Sequence, residues 1–147
     1  MDVAVGSPIP PWSHGPVSAE KMKVFAAIAR DPNPIHWDRA AVAERGLGER
    51  LINQGPTNLG YVINMLLAWT GPASLRELTV RFTSNVFDGD IVTAGGVVTA
   101  IREGRGERLA DCDVWLDRDD GTRAVAGSAT VVLPDEPPER RRKQSLV

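Results

Sequence analysis

Apolar positions along the chain change period, and each change marks an element. Met22, Phe25, Ala26 and Ala29 fall at i, i+3, i+4 and i+7, one stripe of an α-helix that Ser18 caps and that ends near Arg30. Pro32 enforces the stop by disfavouring helical geometry at Asp31, and Pro34 does the same at Asn33. Asp38 then reads as the N-cap of a short helix, RAAVAER, closed by Gly46 at a C-cap position. From Pro56, a favoured first-turn residue, the run PTNLGYVINMLLAWTG is apolar on nearly every side through Leu59, Tyr61, Val62, Ile63, Met65, Leu66, Leu67 and Trp69. Such a helix must be wrapped. Asn58, Gly60 and Asn64 interrupt it too often, and it is too short, for it to span a bilayer, so a curved sheet is its natural cover.

Past that helix the period falls to two. Residues 75–87 alternate, with Leu78, Val80, Phe82 and Val86 on one face and Glu77, Thr79, Arg81 and Thr83 on the other. Asp88-Gly89 signals a turn before DIVTAGGVVTAI, whose glycines at 95 and 96 predict a bulge or bend. EGRGE turns again into RLADCDVWLD, with Ala110, Cys112, Val114 and Leu116 inward, and DDG leads to TRAVAGSATVVLP, closed by Pro134. Long antiparallel strands after one buried helix predict an α+β domain in which a sheet curls round that helix. No internal repeat interrupts the pattern.

Composition narrows the classes. The 147 residues suit one domain, and 42% hydrophobic with 24% charged residues is ordinary for a soluble globular chain. The domain is expected over residues 1–134, and PDEPPERRRKQSLV continues as a solvated charged tail, 135–147, too polar to bury. A formal net charge of -2, with basic residues spread except for Arg140, Arg141, Arg142 and Lys143, excludes a nucleic-acid face. The N-terminus has neither a basic n-region nor a long apolar stretch, so a cytoplasmic protein without a membrane span is expected. Cys112 cannot pair internally and reads as a small buried hydrophobe; His14 and His36 offer no zinc-ligand spacing, so no metal is expected.

The chemistry concentrates in ARDPNPIHWD, residues 29–38. Once the prolines force this loop out of helical geometry, extended chain brings the Asp31 carboxylate and the His36 imidazole toward a common point. A carboxylate and a histidine sharing one water form a general acid-base pair. Asn33 is expected to fix the loop by bonding its own backbone. In NQGPTNLG, Gly55 precedes the start of the buried helix, where an N–H points out of the helix end and the macrodipole favours negative charge. Pro56 cannot donate, which leaves Gly55 as the natural oxyanion donor, and one such donor is worth roughly 2.7–4 kcal/mol in a transition state. Each feature alone has an ordinary structural explanation; together they form a pattern.

That pattern resembles a known family. DPNPIHWD is similar to the D-x-N-P-x-H signature of the MaoC-like (R)-specific enoyl-CoA hydratases and hydroxyacyl dehydratases, including the mycobacterial fatty-acid dehydratase subunits. Phe25 ahead of it, Ala40-Ala41 after it and the Gly55 segment fall where the family has corresponding features, and the order of loop, long helix and strands from Val17 to Leu133 resembles a hotdog fold. The resemblance implies a hydro-lyase of lipid metabolism acting on an acyl thioester, carried by CoA or an acyl carrier protein. Asp31 and His36 would hold and deprotonate a water that adds to C3 of a trans-2-enoyl thioester, a proton would go to C2, and the Gly55 N–H would bind the carbonyl oxygen; in reverse a (3R)-3-hydroxyacyl thioester is dehydrated. It implies no cofactor, and dimers or higher oligomers in which hotdogs join their sheets, sometimes with a different hotdog subunit.

The chain departs from the family at Arg30, where Gly is common, and at Gln54-Gly55-Pro56, where His-Gly-Met is common. Gln54 and Asn58, with Asn53, thereby add polar groups at the helix entrance and are expected to line the substrate pocket. WTGPASL is similar to a segment of actinobacterial hydratase subunits acting on steroid side-chain thioesters, and a polyketide-type carrier substrate fits as well. Two other functions are set against the hydro-lyase. A non-catalytic hotdog subunit has no need of both titratable groups, and a hotdog thioesterase would use a carboxylate on the long helix, where residues 56–70 contain no Asp or Glu.

Overall fold

A computed structural model of the protein describes residues 2–104 and 106–134, so the charged tail expected over 135–147 lies outside the described residues. The elements in order are β1 (Pro8–His14), α1 (Ala19–Ala29), a 3₁₀ turn (Pro34–His36), α2 (Arg39–Glu44), α3 (Gly55–Thr70), β2 (Leu75–Phe82), β3 (Val92–Gly104), β4 (Glu107–Arg118) and β5 (Arg123–Val132). All strand pairs are antiparallel, in the order β1-β3-β4-β5-β2. The fold is an α+β hotdog: the five-stranded sheet curls round α3, which packs against every strand.

The alternation in the strands decides which face meets the helix. Ala94 and Val98 of β3, Ala110, Cys112, Val114 and Leu116 of β4, and Val125, Ala129 and Val131 of β5 are buried in one cluster with Val62, Met65 and Leu66 of α3. Burying the Val, Leu and Met side chains among these stabilises the fold by roughly 1.5–3 kcal/mol each. The wrapping of α3 is incomplete, however. Leu59, Ile63 and Leu67, at i, i+4 and i+8, are only half-buried, and Asn64 and Ala68 beside them are exposed. An apolar helix stripe therefore remains uncovered in the single chain.

Several expectations are corrected. The strand predicted over 75–87 ends at Phe82, which is 55% exposed, because the chain bends away there; Val86 is buried in a separate segment that pairs with residues 51–53. The bulged residue of β3 falls between Val98 and Ala100, while opposite Gly96 and Gly95 the register shifts on the β1 side, between Ile9 and Trp12. Those glycines also serve close packing: a Cβ at 95 would lie 2.6 Å from Trp115 Nε1, and one at 96 would lie 2.7 Å from Ile9 Cδ1. The α1 stripe is narrower than its period suggests, with Met22 and Ala26 buried, Phe25 half-buried and Ala29 exposed. Strand β1 was not foreseen, since Pro8, Pro10 and Pro11 argue against a strand; as an edge it needs few donors, and its prolines leave that edge poorly able to pair further.

Among the described residues, no helix is long and apolar enough to cross a membrane.

Candidate active site

The loop after α1 is built by caps and turns. Ser18 Oγ accepts the Lys21 N–H at the helix start, and at its end Arg30 takes a left-handed conformation, φ 52° and ψ 40°, that lets the Asp31 N–H reach back to the Ala26 carbonyl at 2.9 Å. The Asp31 carboxylate then accepts the Asn33 N–H on Oδ1 at 3.0 Å, closing an Asx turn. Pro34 opens the 3₁₀ turn, and Asp38 Oδ1 accepts the Ala40 N–H as the cap of α2. Asn33 does not bond its own backbone as expected. The carboxylate two residues earlier already takes that N–H, and Asn33 Oδ1 instead accepts from Arg45 Nη1 at 2.8 Å, tying the loop to the end of α2.

This turn places the two titratable side chains together. His36 Nε2 lies 3.4 Å from Asp31 Oδ2, with the two side chains 10% and 30% exposed. His36 Nδ1 lies 2.6 Å from the Ile52 carbonyl oxygen, which can only accept, so Nδ1 carries the hydrogen. Nε2 is left facing the Asp31 carboxylate, an arrangement in which a molecule with two O–H donors, such as water, can bridge the two groups.

Ile52 belongs to a short extended segment gripped from both sides. Its N–H donates to Ile35 O at 3.0 Å, the Asn53 N–H donates to Val86 O at 2.7 Å, and the Asp88 N–H donates to Leu51 O at 2.9 Å. The 86–90 stretch is itself anchored by buried Asp90, which accepts the Phe87 N–H and pairs with Arg50 at 2.6 Å and Arg118 at 3.1 Å. The segment runs directly into α3, whose N-cap is Gln54 and whose first residue is Gly55. The Thr57 and Asn58 N–H groups both turn back to Gln54 O at 3.1 Å, and Pro56 has no N–H. Among the described residues, nothing accepts from the Gly55 N–H, which is thus the free donor at the positive end of a sixteen-residue helix. Glycine is favoured here for two reasons: a Cβ would come 3.2 Å from Phe82 Cζ and push that ring aside, and a Cβ before Pro56 would oppose the helical conformation.

The remaining predicted pocket residues lie at the same helix start. Gln54 is buried; its Nε2 donates to Met22 O at 2.9 Å, binding α1 to α3, while Oε1 is sealed without a partner. Asn58 is buried and its Oδ1 accepts from Asn53 Nδ2 at 2.8 Å. Sequence reasoning missed the Ile52 carbonyl, a backbone group without residue identity, the bond that the Tyr61 hydroxyl accepts from Asn53, and the place of Phe82 against Gly55. A lone tyrosine inside an apolar helix was the available signal, since a buried phenol needs a hydrogen-bond partner. Cavities of about 290, 470 and 500 Å³ are lined by residues at the end of α3 and along the strands, none of them Asp31, His36 or Gly55. Among the described residues no cluster of three or more His, Cys, Asp or Glu is placed to hold a metal ion.

Comparison with known proteins gives consistent results. The family model described as MaoC like domain matches residues 4–114. The chain is 34% identical over 119 residues to the (R)-specific enoyl-CoA hydratase of Aeromonas caviae, covering 79% of this chain and 86% of that protein. The solved (R)-hydratase from A. caviae involved in PHA biosynthesis superposes with a TM-score of 0.78 at 31% identity, covering 91% of this chain and 99% of that one. The ChsH1-ChsH2 complex from Mycobacterium tuberculosis shares the fold, with a TM-score of 0.74 at 22% identity over 89% of this chain and 98% of that one.

Proposed function

The chain belongs to the MaoC-like family, and from that premise we propose that it is a hydro-lyase, adding water to a trans-2-enoyl thioester or dehydrating the (3R)-3-hydroxyacyl thioester. The observation that carries the reading is the convergence of Asp31 Oδ2 and His36 Nε2 at 3.4 Å, with the other imidazole nitrogen already committed to the Ile52 carbonyl.

A water between these groups donates one O–H to each and turns an oxygen lone pair outward. As that oxygen bonds to C3 of the enoyl group, His36 Nε2 takes its proton, and Asp31 balances the positive charge that forms on the ring. Electrons pass through C2 to the thioester oxygen, where the Gly55 N–H at the α3 start stabilises the developing enolate. The proton held on Nε2 then returns to C2. Each step uses groups of this chain, and the reverse sequence is the dehydration.

The uncovered surfaces support an assembly of hotdog chains. The outer edge of β2 contains no proline, unlike β1, and continues to exposed Phe82 beside Gly55. Pairing of this edge with a second hotdog, identical or different, would cover the Leu59, Ile63 and Leu67 stripe and exclude bulk water from a dyad that opens at the surface.

Loss of the enoyl absorbance of crotonyl-CoA and longer trans-2-enoyl-CoA esters, with chiral analysis of the product, tests the activity. Asp31→Asn keeps an oxygen for the Asn33 N–H but turns an amide donor toward His36 Nε2. It is expected to lower kcat by about 10²–10⁴-fold. Full activity in this variant, or an (S)-hydroxy product, refutes the mechanism.

A further inference from the structure

The first two turns of α3 carry a hydrogen-bonding array that the hydration chemistry does not use. Asn53 Nδ2 donates to Asn58 Oδ1 at 2.8 Å and to Tyr61 Oη at 3.4 Å. The three residues are 5%, 4% and 8% exposed. Their hydrogen-bonding capacity is not exhausted by one another. Among the described residues, nothing pairs with Asn53 Oδ1 or Asn58 Nδ2, and the Tyr61 hydroxyl accepts a bond but donates none. Neither free amide atom is among the sealed, unpartnered ones, which at this helix start are Gln54 Oε1 and Thr57 Oγ1. The free amide atoms of Asn53 and Asn58, two side chains more than nine-tenths buried, therefore open to solvent-accessible space beside the Tyr61 hydroxyl.

Their place on the helix directs them. Gly55, Asn58 and Tyr61 succeed one another at i, i+3 and i+6, on the face that continues with Val62 and Met65 into the core. Side chains lean toward a helix N-terminus, so the Asn58 amide covers the turn that begins at Gly55. The opposite side of Tyr61 is fixed by ring packing: its ring stacks on His14 at 5.0 Å and on Trp12 at 5.9 Å, which leaves the hydroxyl turned to Asn53. At 1.5 Å per residue, the backbones of Asn58 and Tyr61 stand about 5–9 Å along the axis from Gly55, and their polar groups, leaning back and gathered round Asn53, lie within that reach. A plain alkyl chain lying there would desolvate amide and phenol groups and give them nothing in return.

We propose that Asn53, Asn58 and Tyr61 form an acyl-group subsite selective for thioesters whose chain carries a hydroxyl or keto oxygen within about 9 Å of the thioester carbonyl. This rests on the hydro-lyase reading, because the position of the thioester is taken from Gly55. The Asn58 Nδ2 and Tyr61 O–H groups donate to that oxygen, and Asn53 Oδ1 accepts from it when it is a hydroxyl.

Saturated thioesters, which cannot react, separate binding from turnover. The probes are hexanoyl-CoA, 5-oxohexanoyl-CoA and 6-hydroxyhexanoyl-CoA, with Kd read by calorimetry and by the fluorescence of the protein, to which Trp12 beside Tyr61 contributes. The oxygenated esters are expected to bind roughly ten- to a hundredfold more tightly than hexanoyl-CoA. Tyr61→Phe, which keeps the stacked ring and removes only the hydroxyl, and Asn58→Leu should each reduce that ratio to within about threefold of unity. Equal or tighter binding of hexanoyl-CoA, no binding of any of the three, or a ratio that survives both substitutions overturns the proposal. Hydration of crotonyl-CoA, too short to reach the array, is followed in parallel. Crotonyl-CoA turnover without acyl selectivity refutes the subsite alone, and selectivity without turnover of any enoyl thioester refutes the hydro-lyase alone.

Discussion

His36 performs two separable jobs, and two substitutions at that position distinguish them. Nδ1 anchors the Ile52 carbonyl at 2.6 Å, and Nε2 faces Asp31. In His36→Asn the side-chain amide nitrogen superposes on Nδ1, so the bond to Ile52 is kept while the base is removed. In His36→Ala both are lost, and a buried carbonyl is left unpaired at a cost of about 1–3 kcal/mol. For a chain of this size that corresponds to a fall in Tm of roughly 2–12 °C, whereas the asparagine variant should stay within about 2 °C of the parent. Both should lose about 10²–10⁴-fold in kcat, since general acid-base groups contribute on that order. Crotonyl-CoA hydration and thermal unfolding, run on the same preparations, read the two effects. An asparagine variant that keeps more than a tenth of the parental rate refutes the role of Nε2. If it is as unstable as the alanine variant, the Ile52 bond is not what holds the ring.

Three further outcomes follow from other parts of the molecule. Arg30 holds a left-handed conformation at φ 52° with a side chain that opposes it, so Arg30→Gly should raise stability by about 1 kcal/mol in urea unfolding; unchanged or lower stability refutes the strain. Burial, then the nearby Asp111 and Asp113 charges, push the Cys112 thiol up to about 12, so a thiol reagent at mildly alkaline pH should label it only at the rate of unfolding, and rapid labelling of folded protein contradicts that. The Asp111 carboxyl is held below the usual carboxylate range by hydrogen bonds from Arg102 and then Thr130. A depressed folded-state value stabilises above the unfolded value and is lost as pH falls through the folded one, so the stability gap between the parent and Thr130→Val should narrow on acidification; a gap that is constant with pH refutes the coupling.

How far the sequence could be read depended on whether a feature was local. The caps at Ser18 and Asp38, the stop at Pro32 and the inward set Ala110, Cys112, Val114 and Leu116 depend on neighbours within one element, and each appears in place. Strand β1 was hidden because its strand character comes from pairing with β3 about eighty to ninety residues away, against the preference of its own three prolines. The packing role of Gly95 and Gly96 was hidden for the same reason: what forbids a Cβ there is Trp115 and Ile9, on the strands either side. Residues of the candidate site divide along the same line. Asp31 and His36 sit five residues apart in one turn, so their meeting was legible, and the glycine before Pro56 was legible as a helix start.

Arg30 shows why a departure from a pattern carries information only when the backbone is known. A glycine at that position is favoured by a left-handed residue at the end of α1, the geometry that sends the Asp31 N–H back to Ala26 and its carboxylate forward to Asn33. The arginine retains the geometry at the expense of strain, so the turn must be held from outside, by the Arg45 bond to Asn33 Oδ1 and the Ile52 bond to His36. The substitution thus moves the burden of aiming the dyad from one permissive residue to contacts made by α2 and by the segment that starts α3. In this chain the Asp31–His36 pair and the free Gly55 N–H therefore share a single mechanical support, running from His36 through Ile52 to Gly55.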